Sequence, residues 1–246
     1  MTNFRFILEY DGAGFEGWQV QAERRTVQGC LADALEVLAG VRVAVTGSGR
    51  TDSGVHAEGQ VANARLDAKF DPASLQRALN GNLPGDMAVL AVDVVADDFD
   101  ACRDACSKHY CYQVWNDPVR SPLRAPRVWW VRAVLDLEAI RKAAALLEGR
   151  HDFASFQAAG SEVRTTVRTL TRAEVSRATG SQIQFDFEGD GFLRYMVRNL
   201  VGTLVEVGRG ARQPDDVAAI LAARDRSAAG VTAPAQGLTL ASVSYP

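Results

Sequence analysis

Apolar and polar positions alternate from the start of the chain. FRFILEY sets Phe4, Phe6, Leu8 and Tyr10 on one face, the two-residue period of a strand. TVQGCLADALEVLAG changes to helical spacing through Val27, Leu31, Ala34 and Leu38, with Thr26 as cap and Gly40 as stop. VRVAVTG (41–47) reads as a strand that runs into a glycine-rich segment, and GQVANARL (59–66) as the strand that leaves it. DPASLQRALNG predicts a helix ending at Gly81, and MAVLAVDVV a strand after it. The second half repeats these themes. HYCYQVW alternates Tyr110, Tyr112 and Val114, LEAIRKAAALLEG is helical, and TLTRAEVSR and QIQFDFEG are strands joined by an ATGS turn. DGFLRYMVRNLVGTLVEVG reads as one helix with Leu193, Met196, Val197, Leu200, Val201 and Leu204 as its buried stripe. PDDVAAILAARD is a further helix and LTLASVSY a last strand. Two halves of similar content, with no low-complexity linker, predict an α+β architecture of duplicated subdomains, 1–105 and 106–246.

Composition narrows this picture without changing it. A chain of 246 residues, 47% hydrophobic and 23% charged, can bury an ordinary globular core. The longest obvious apolar run, MAVLAV, is far short of a membrane span, and MTNFRFILEYDG has no basic segment followed by an apolar one, so a cytoplasmic protein is expected. The net charge of −3 argues against a uniformly cationic surface but leaves room for a local basic cleft. Of 27 cationic residues only Lys69, Lys108 and Lys142 are lysines, leaving 24 arginines. Guanidinium forks bind phosphate and stack on bases, which suits RNA, although codon use in a GC-rich genome produces the same bias. The four cysteines, Cys30, Cys102, Cys106 and Cys111, are expected as thiols. Cys102, Cys106, His109 and Cys111 raise the question of zinc, but their spacing matches no C-x2-C pairing and Cys111 would face away from Tyr110 and Tyr112; no metal is expected.

The candidate chemistry lies in TGSGRTDSGVHAEGQ, residues 46–60, on a loop between two strands. Gly47, Gly49 and Gly54 are expected to bend the backbone, take positive φ and allow close approach of a ligand. Arg50 is a fixed cation two residues before Asp52. The residue types alone also suit a turn in which Asp52 merely caps the next segment. Rival phosphate loops fail on spacing. A Walker loop needs a lysine after its last glycine, and a dinucleotide loop needs G-x-G-x-x-G opening a helix. His56, the nearby imidazole, reads as a loop hydrogen-bonder. On the helix read through FLRYMVRN, Arg194 and Arg198 are four apart and share a side, either as a solvated flank or reaching to a carboxylate.

GSGRTDSGVHAEGQV resembles the active-site segment of the pseudouridine synthases, specifically of the tRNA pseudouridine synthase A family, whose usual form is G-R-T-D-A-G-V-H-x-x-G-Q-V. The similarity continues in FEGWQVQ, TVQG, LNGNLPGDM, HDFASF, MVRNLVGTLVEVG and AQGLTLASVSYP, in family order along nearly the whole chain. The resemblance implies two ferredoxin-like subdomains with a mostly antiparallel sheet and a cleft between them. It implies isomerisation of uridine to pseudouridine at positions 38 to 40 of the tRNA anticodon stem-loop, by a homodimer needing neither cofactor nor metal. The base is detached from C1′, rotated and rejoined through C5. Asp52 matches the catalytic aspartate, Arg50 the arginine two residues before it, Tyr110 the tyrosine beneath the flipped base, and Arg198 the arginine paired with the aspartate. These types suit the chemistry: a flipped base needs an aromatic support, and a nearby cation keeps a carboxylate ionised.

Three positions depart from the family pattern. Cys102 and Lys108 stand where arginine is usual, and Ser53 where alanine is usual. Neither Cys nor Lys reproduces a guanidinium fork. A non-catalytic RNA-binding protein on the same scaffold is the alternative, and it predicts a damaged signature. A hydrolytic glycosidase using Asp52 with Glu188 or Asp190 is a third, but no paired-acid motif is visible.

Overall fold

A computed structural model describes residues 1–67, 69–160, 163–178 and 180–246. The chain divides into two units: residues 1–106 together with 240–246, and residues 107–239. Each is a mostly antiparallel sheet with helices packed on it, an α+β arrangement.

In the first unit β1 (Thr2–Tyr10) lies between β3 (His56–Leu66) and β4 (Met87–Val94), antiparallel to both. Its alternation is the predicted one: Phe4, Phe6, Leu8 and Tyr10 are all buried. The short β2 (Val45–Gly47) pairs with β3 through Val45↔Ala64 and Gly47↔Ala62. The strand expected over 41–47 forms only at its end, where β3 offers a partner. β3 begins at His56, three residues earlier than its apolar pattern suggests, which shortens the loop carrying Asp52. Helix α1 (Val27–Ala39) starts at the Thr26 cap, whose hydroxyl accepts from Gly29 N–H at 3.3 Å, and stops at Gly40 in the left-handed region. Helix α2 (Pro72–Asn82) starts at Asp71 and buries Leu75 and Leu79 beside β4.

In the second unit the order is β5 (Ser107–Asn116), β9 (Gln182–Gly189), β8 (Val167–Arg177) and β7 (Gly149–Asp152). The three-residue β6 (Trp129–Val131) runs parallel to β5. Neither β6 nor β7 is visible in the apolar pattern, because three or four residues carry no periodicity. Of the ATGS turn, Thr179 lies outside the described residues. Helix α3 (Leu137–Ala145) packs on α4 (Met196–Gly208) and β8, and α5 (Asp216–Ala223) follows. α4 is more enclosed than a one-sided stripe: every residue except Arg198 and Glu206 is buried. Its start is also a correction. The helix begins at Met196, since Tyr195 has φ 63° and leaves the right-handed region, so DGFLRY is not helical and Arg194 does not share a helix face with Arg198.

Candidate active site

The loop between β2 and β3 hangs on four buried polar side chains. Ser48 N–H donates to Val61 O at 2.8 Å, and its hydroxyl donates to Gln60 Oε1 at 2.6 Å. Gln60 Nε2 donates back to Gly49 O at 3.1 Å. The Tyr10 and Thr51 hydroxyls share a hydrogen bond of 2.8 Å, with Gln60 Nε2 3.4 Å from the Tyr10 oxygen. Tyr10, Ser48, Thr51 and Gln60 are all buried, and a satisfied buried network admits one loop geometry where an exposed one would admit several. Burial pushes the Tyr10 phenol up to about 12, against the opposing effect of its bonds to Thr51 and Gln60.

A second wall comes from the segment after β1. Trp18 N–H donates to Thr51 O at 3.0 Å and Gly54 N–H to Phe15 O at 3.3 Å, while Val55 N–H closes a turn onto Asp52 O at 3.1 Å. Gly17 has φ 88°, and a Cβ there would sit 2.7 Å from Thr51 O, so only glycine lets this wall reach the loop. Of the three loop glycines, Gly54 alone takes positive φ, at 80°. Gly47 serves a different purpose, since a Cβ on it would run into the Trp18 indole. Ser53, the departure from the family's alanine, donates to Glu16 Oε2 at 3.1 Å and adds a tie between loop and wall.

This framework leaves Asp52 half-buried and Arg50 exposed. Among the described residues Arg50 makes no hydrogen bond or ion pair, so its guanidinium is open to an anionic ligand. His56 is buried, and Gly12 N–H donates to its Nδ1 at 3.0 Å. The same nitrogen lies 3.1 Å from Asp11 Oδ1, which would be an ion pair only with a proton there. The Gly12 N–H can only donate, so the lone pair belongs on Nδ1, and His56, expected in the loop, is the first residue of β3 and hydrogen-bonds the segment after β1.

In the second unit Tyr110 lies on β5 opposite Phe187 of β9. Its ring meets Phe192 edge-on, with centroids 5.0 Å apart and planes at 75°. At 7% exposure it is a far more enclosed ring than a free stacking platform. Arg198, in the first turn of α4, donates from Nε to Ala233 O at 2.8 Å, and Ala233 N–H returns a bond to Arg198 O at 3.1 Å. Behind that contact, residues 226–233 are laced to α4. Asn199 Oδ1 accepts from Thr232 Oγ1 at 2.6 Å and from Arg226 at 3.1 Å, and Thr203 Oγ1 accepts from Gly230 N–H at 2.9 Å. Tyr112 donates to Pro234 O at 2.8 Å, and burial raises its phenol far above the usual value.

The acids considered for hydrolysis are occupied elsewhere: Glu188 accepts from Ser107 Oγ at 3.1 Å and Asp190 from Thr169 N–H at 3.0 Å. Among the described residues no disulfide forms, and Cys102 and Cys106 are exposed. His109 Nε2 lies 2.8 Å from Asp186 Oδ1 across β5 and β9. Among the described residues no group of three or more His, Cys, Asp or Glu side chains could hold a metal.

Sequence reasoning did not single out Tyr10, Ser48, Thr51 or Gln60 as the loop's supports, nor Tyr195 beside Arg198. Thr51 and Gln60 stand inside the glycine-rich signature. Their polarity, next to strand residues that must be buried, was the available signal.

A family model described as tRNA pseudouridine synthase matches residues 7–102 and 143–246, which leaves Tyr110 in the unmatched interval. A tRNA pseudouridine synthase A of Syntrophotalea carbinolica is 46% identical over 245 residues, covering 100% of this chain and 97% of that protein. The Myxococcus xanthus protein of the same name is 46% identical, covering 100% and 92%. That of Solidesulfovibrio magneticus is 48% identical over 253 residues, also covering 100% and 92%.

Proposed function

The chain belongs to the tRNA pseudouridine synthase family, isomerases that convert uridine to pseudouridine in tRNA, and from that premise we propose that it acts at positions 38 to 40 of the anticodon stem-loop with Asp52 as the catalytic carboxylate. The observation behind this reading is a half-buried carboxylate on a loop whose backbone is held from two sides, with an exposed, uncommitted guanidinium two residues before it. Held groups of this kind lower the reorganisation a reaction needs. The isomerisation breaks the bond between C1′ and N1, forms one between C1′ and C5, and releases the C5 proton as N1 takes one up. Asp52 attacks base or sugar, or removes a ribose proton; each role needs the ionised carboxylate.

The other residues take supporting roles. Arg50 contacts the RNA backbone near the target, where a phosphate suits its open fork. Tyr110 supports the flipped uridine with its ring, and Arg198 keeps the Asp52 carboxylate ionised. Residues 1–105 carry the aspartate loop and residues 106–246 complete the substrate cleft. The enzyme works in the cytoplasm as a homodimer. Among the described residues no helix is long and apolar enough to cross a membrane.

Asp52→Asn tests the reading. Asn keeps the size and the turn hydrogen bonds, but it supplies neither a negative nucleophile nor an effective base. Single-turnover release of tritium from C5-labelled uridine should fall by several orders of magnitude, on the scale of about a millionfold at most. Binding of the same tRNA should persist. Residual turnover within about tenfold of wild type contradicts the assignment. Loss of binding along with turnover indicates instead an aspartate that holds its loop.

A further inference from the structure

Tyr195 has a backbone conformation that tyrosine rarely adopts. Its φ of 63° and ψ of 1° place it in the left-handed region immediately before α4. Such a residue costs free energy, and the surroundings must hold it there. They do. Arg194 O accepts from Ala158 N–H at 2.9 Å, Met196 N–H donates to Leu193 O at 3.0 Å, and Asn199 N–H donates to Tyr195 O at 2.9 Å. Leu193 and Met196 on either side are buried.

The result of this turn is a ring in contact with two cations. Arg194 Cζ lies 4.9 Å and Arg198 Cζ 4.7 Å from the Tyr195 ring centroid. Right-handed backbone at Tyr195 would continue α4 back through this residue and carry the ring elsewhere. Arg198 is therefore held in two directions. Its Nε is fixed by Ala233 O, and its central carbon is held over the ring. A planar group held at one edge and at its centre has its two terminal nitrogens aimed.

We propose that Tyr195 is a positioning residue for Arg198: its ring, presented by the strained backbone, sets the direction in which the Arg198 guanidinium delivers its charge during the reaction. The inference rests on the role given to Arg198 above. Tyr195 itself does not touch substrate in this account.

The test separates the ring from the backbone. Tyr195→Gly removes the ring while suiting the left-handed conformation, and Tyr195→Phe keeps the ring. Single-turnover tritium release from C5-labelled tRNA should fall about 2- to 30-fold in Tyr195→Gly, the range a cation–π contact spans, with melting temperature not lowered and tRNA affinity unchanged. Tyr195→Phe should restore the rate to within about twofold, since the face of the ring carries the contact. In an Arg198→Ala background, Tyr195→Gly should cost nothing further. Four results overturn the inference: a wild-type rate in Tyr195→Gly, a Phe variant as slow as the Gly variant, an equal cost in the Arg198→Ala background, or a slow Gly variant whose melting temperature has fallen with its rate. If Arg198→Ala itself turns over at the wild-type rate, the role of Arg198 and this inference fail together. The first four results leave that role standing.

Discussion

The loop that presents Asp52 depends on hydroxyl and amide groups with no access to water, and Tyr10 is the one whose titration exposes that dependence. In the unfolded chain its phenol ionises at the ordinary 10.0, while in the fold burial raises it to about 12. Between those values the unfolded chain gives up the proton that the folded chain keeps. The Tyr10 contribution is therefore complete below pH 10 and is lost as pH rises toward 12, by up to about 2–3 kcal/mol. Tyr10→Phe removes the hydroxyl and leaves Thr51 Oγ1 without that partner, at a cost of about 1 kcal/mol near neutral pH. Thermal melts of both proteins from pH 8 to 12 should start with the wild type more stable, with the gap closing above pH 10 and reversing toward pH 12. A gap that stays constant contradicts the buried-phenol account. The sequence made Asp52 and Arg50 legible because their types are odd for a glycine loop. It hid Tyr10 because alternation alone marks it as one more core-facing aromatic, with nothing to show that its hydroxyl has work to do.

Elements were legible where period and punctuation agreed. α1 announces itself with Thr26, a four-residue apolar spacing and Gly40, and it forms between those marks. α4 lacked such punctuation. Its apolar pattern runs back to Leu193, which is buried without being helical, and no cap residue warns of the left-handed Tyr195. The segment after α5 was equally silent, because 226–233 gains its meaning only by lacing onto α4 through Asn199. That asparagine is fully buried and serves Phe156 O, Arg226 and Thr232 at once. Asn199→Ala strands those partners, and leaving buried polar groups unmet costs about 1–3 kcal/mol each. Partial relaxation suggests roughly 2–4 kcal/mol overall, or a melting temperature lowered by about 5–15 °C for a chain of this length. The same variant should slow turnover, because Ala233, which holds the Arg198 Nε, hangs from that segment. Unchanged stability in Asn199→Ala means the segment is anchored by other contacts.

At the scale of the whole chain, local pattern says least. The last seven residues group with the first unit, for reasons that lie a hundred residues away: Tyr245 donates to Ala101 O at 2.7 Å, its ring meets Phe99 at 5.1 Å, and Cys106 N–H donates to Ser244 O at 2.8 Å. Net charge is similarly uninformative about binding. The chain carries −3 overall, yet many arginines are neutralised within the fold, as Arg25 is by Asp86 and Arg212 by Glu206. Others are not. Arg50, Arg120, Arg132, Arg150 and Arg164 are exposed and, among the described residues, pair with no carboxylate. A polyanion meets those groups and not the average, so tRNA binding should be strongly electrostatic despite the acidic total. Log affinity against log salt should fall by about 0.7 to 0.9 for each phosphate contacted, and replacing a contacting arginine by glutamine should reduce the slope by one such step. Arg50→Gln is the first variant to measure, since its guanidinium stands beside the aspartate loop. A wild-type slope near zero contradicts electrostatic recognition altogether. A steep wild-type slope that Arg50→Gln leaves untouched removes Arg50 from the phosphate contacts and shifts attention to the other four.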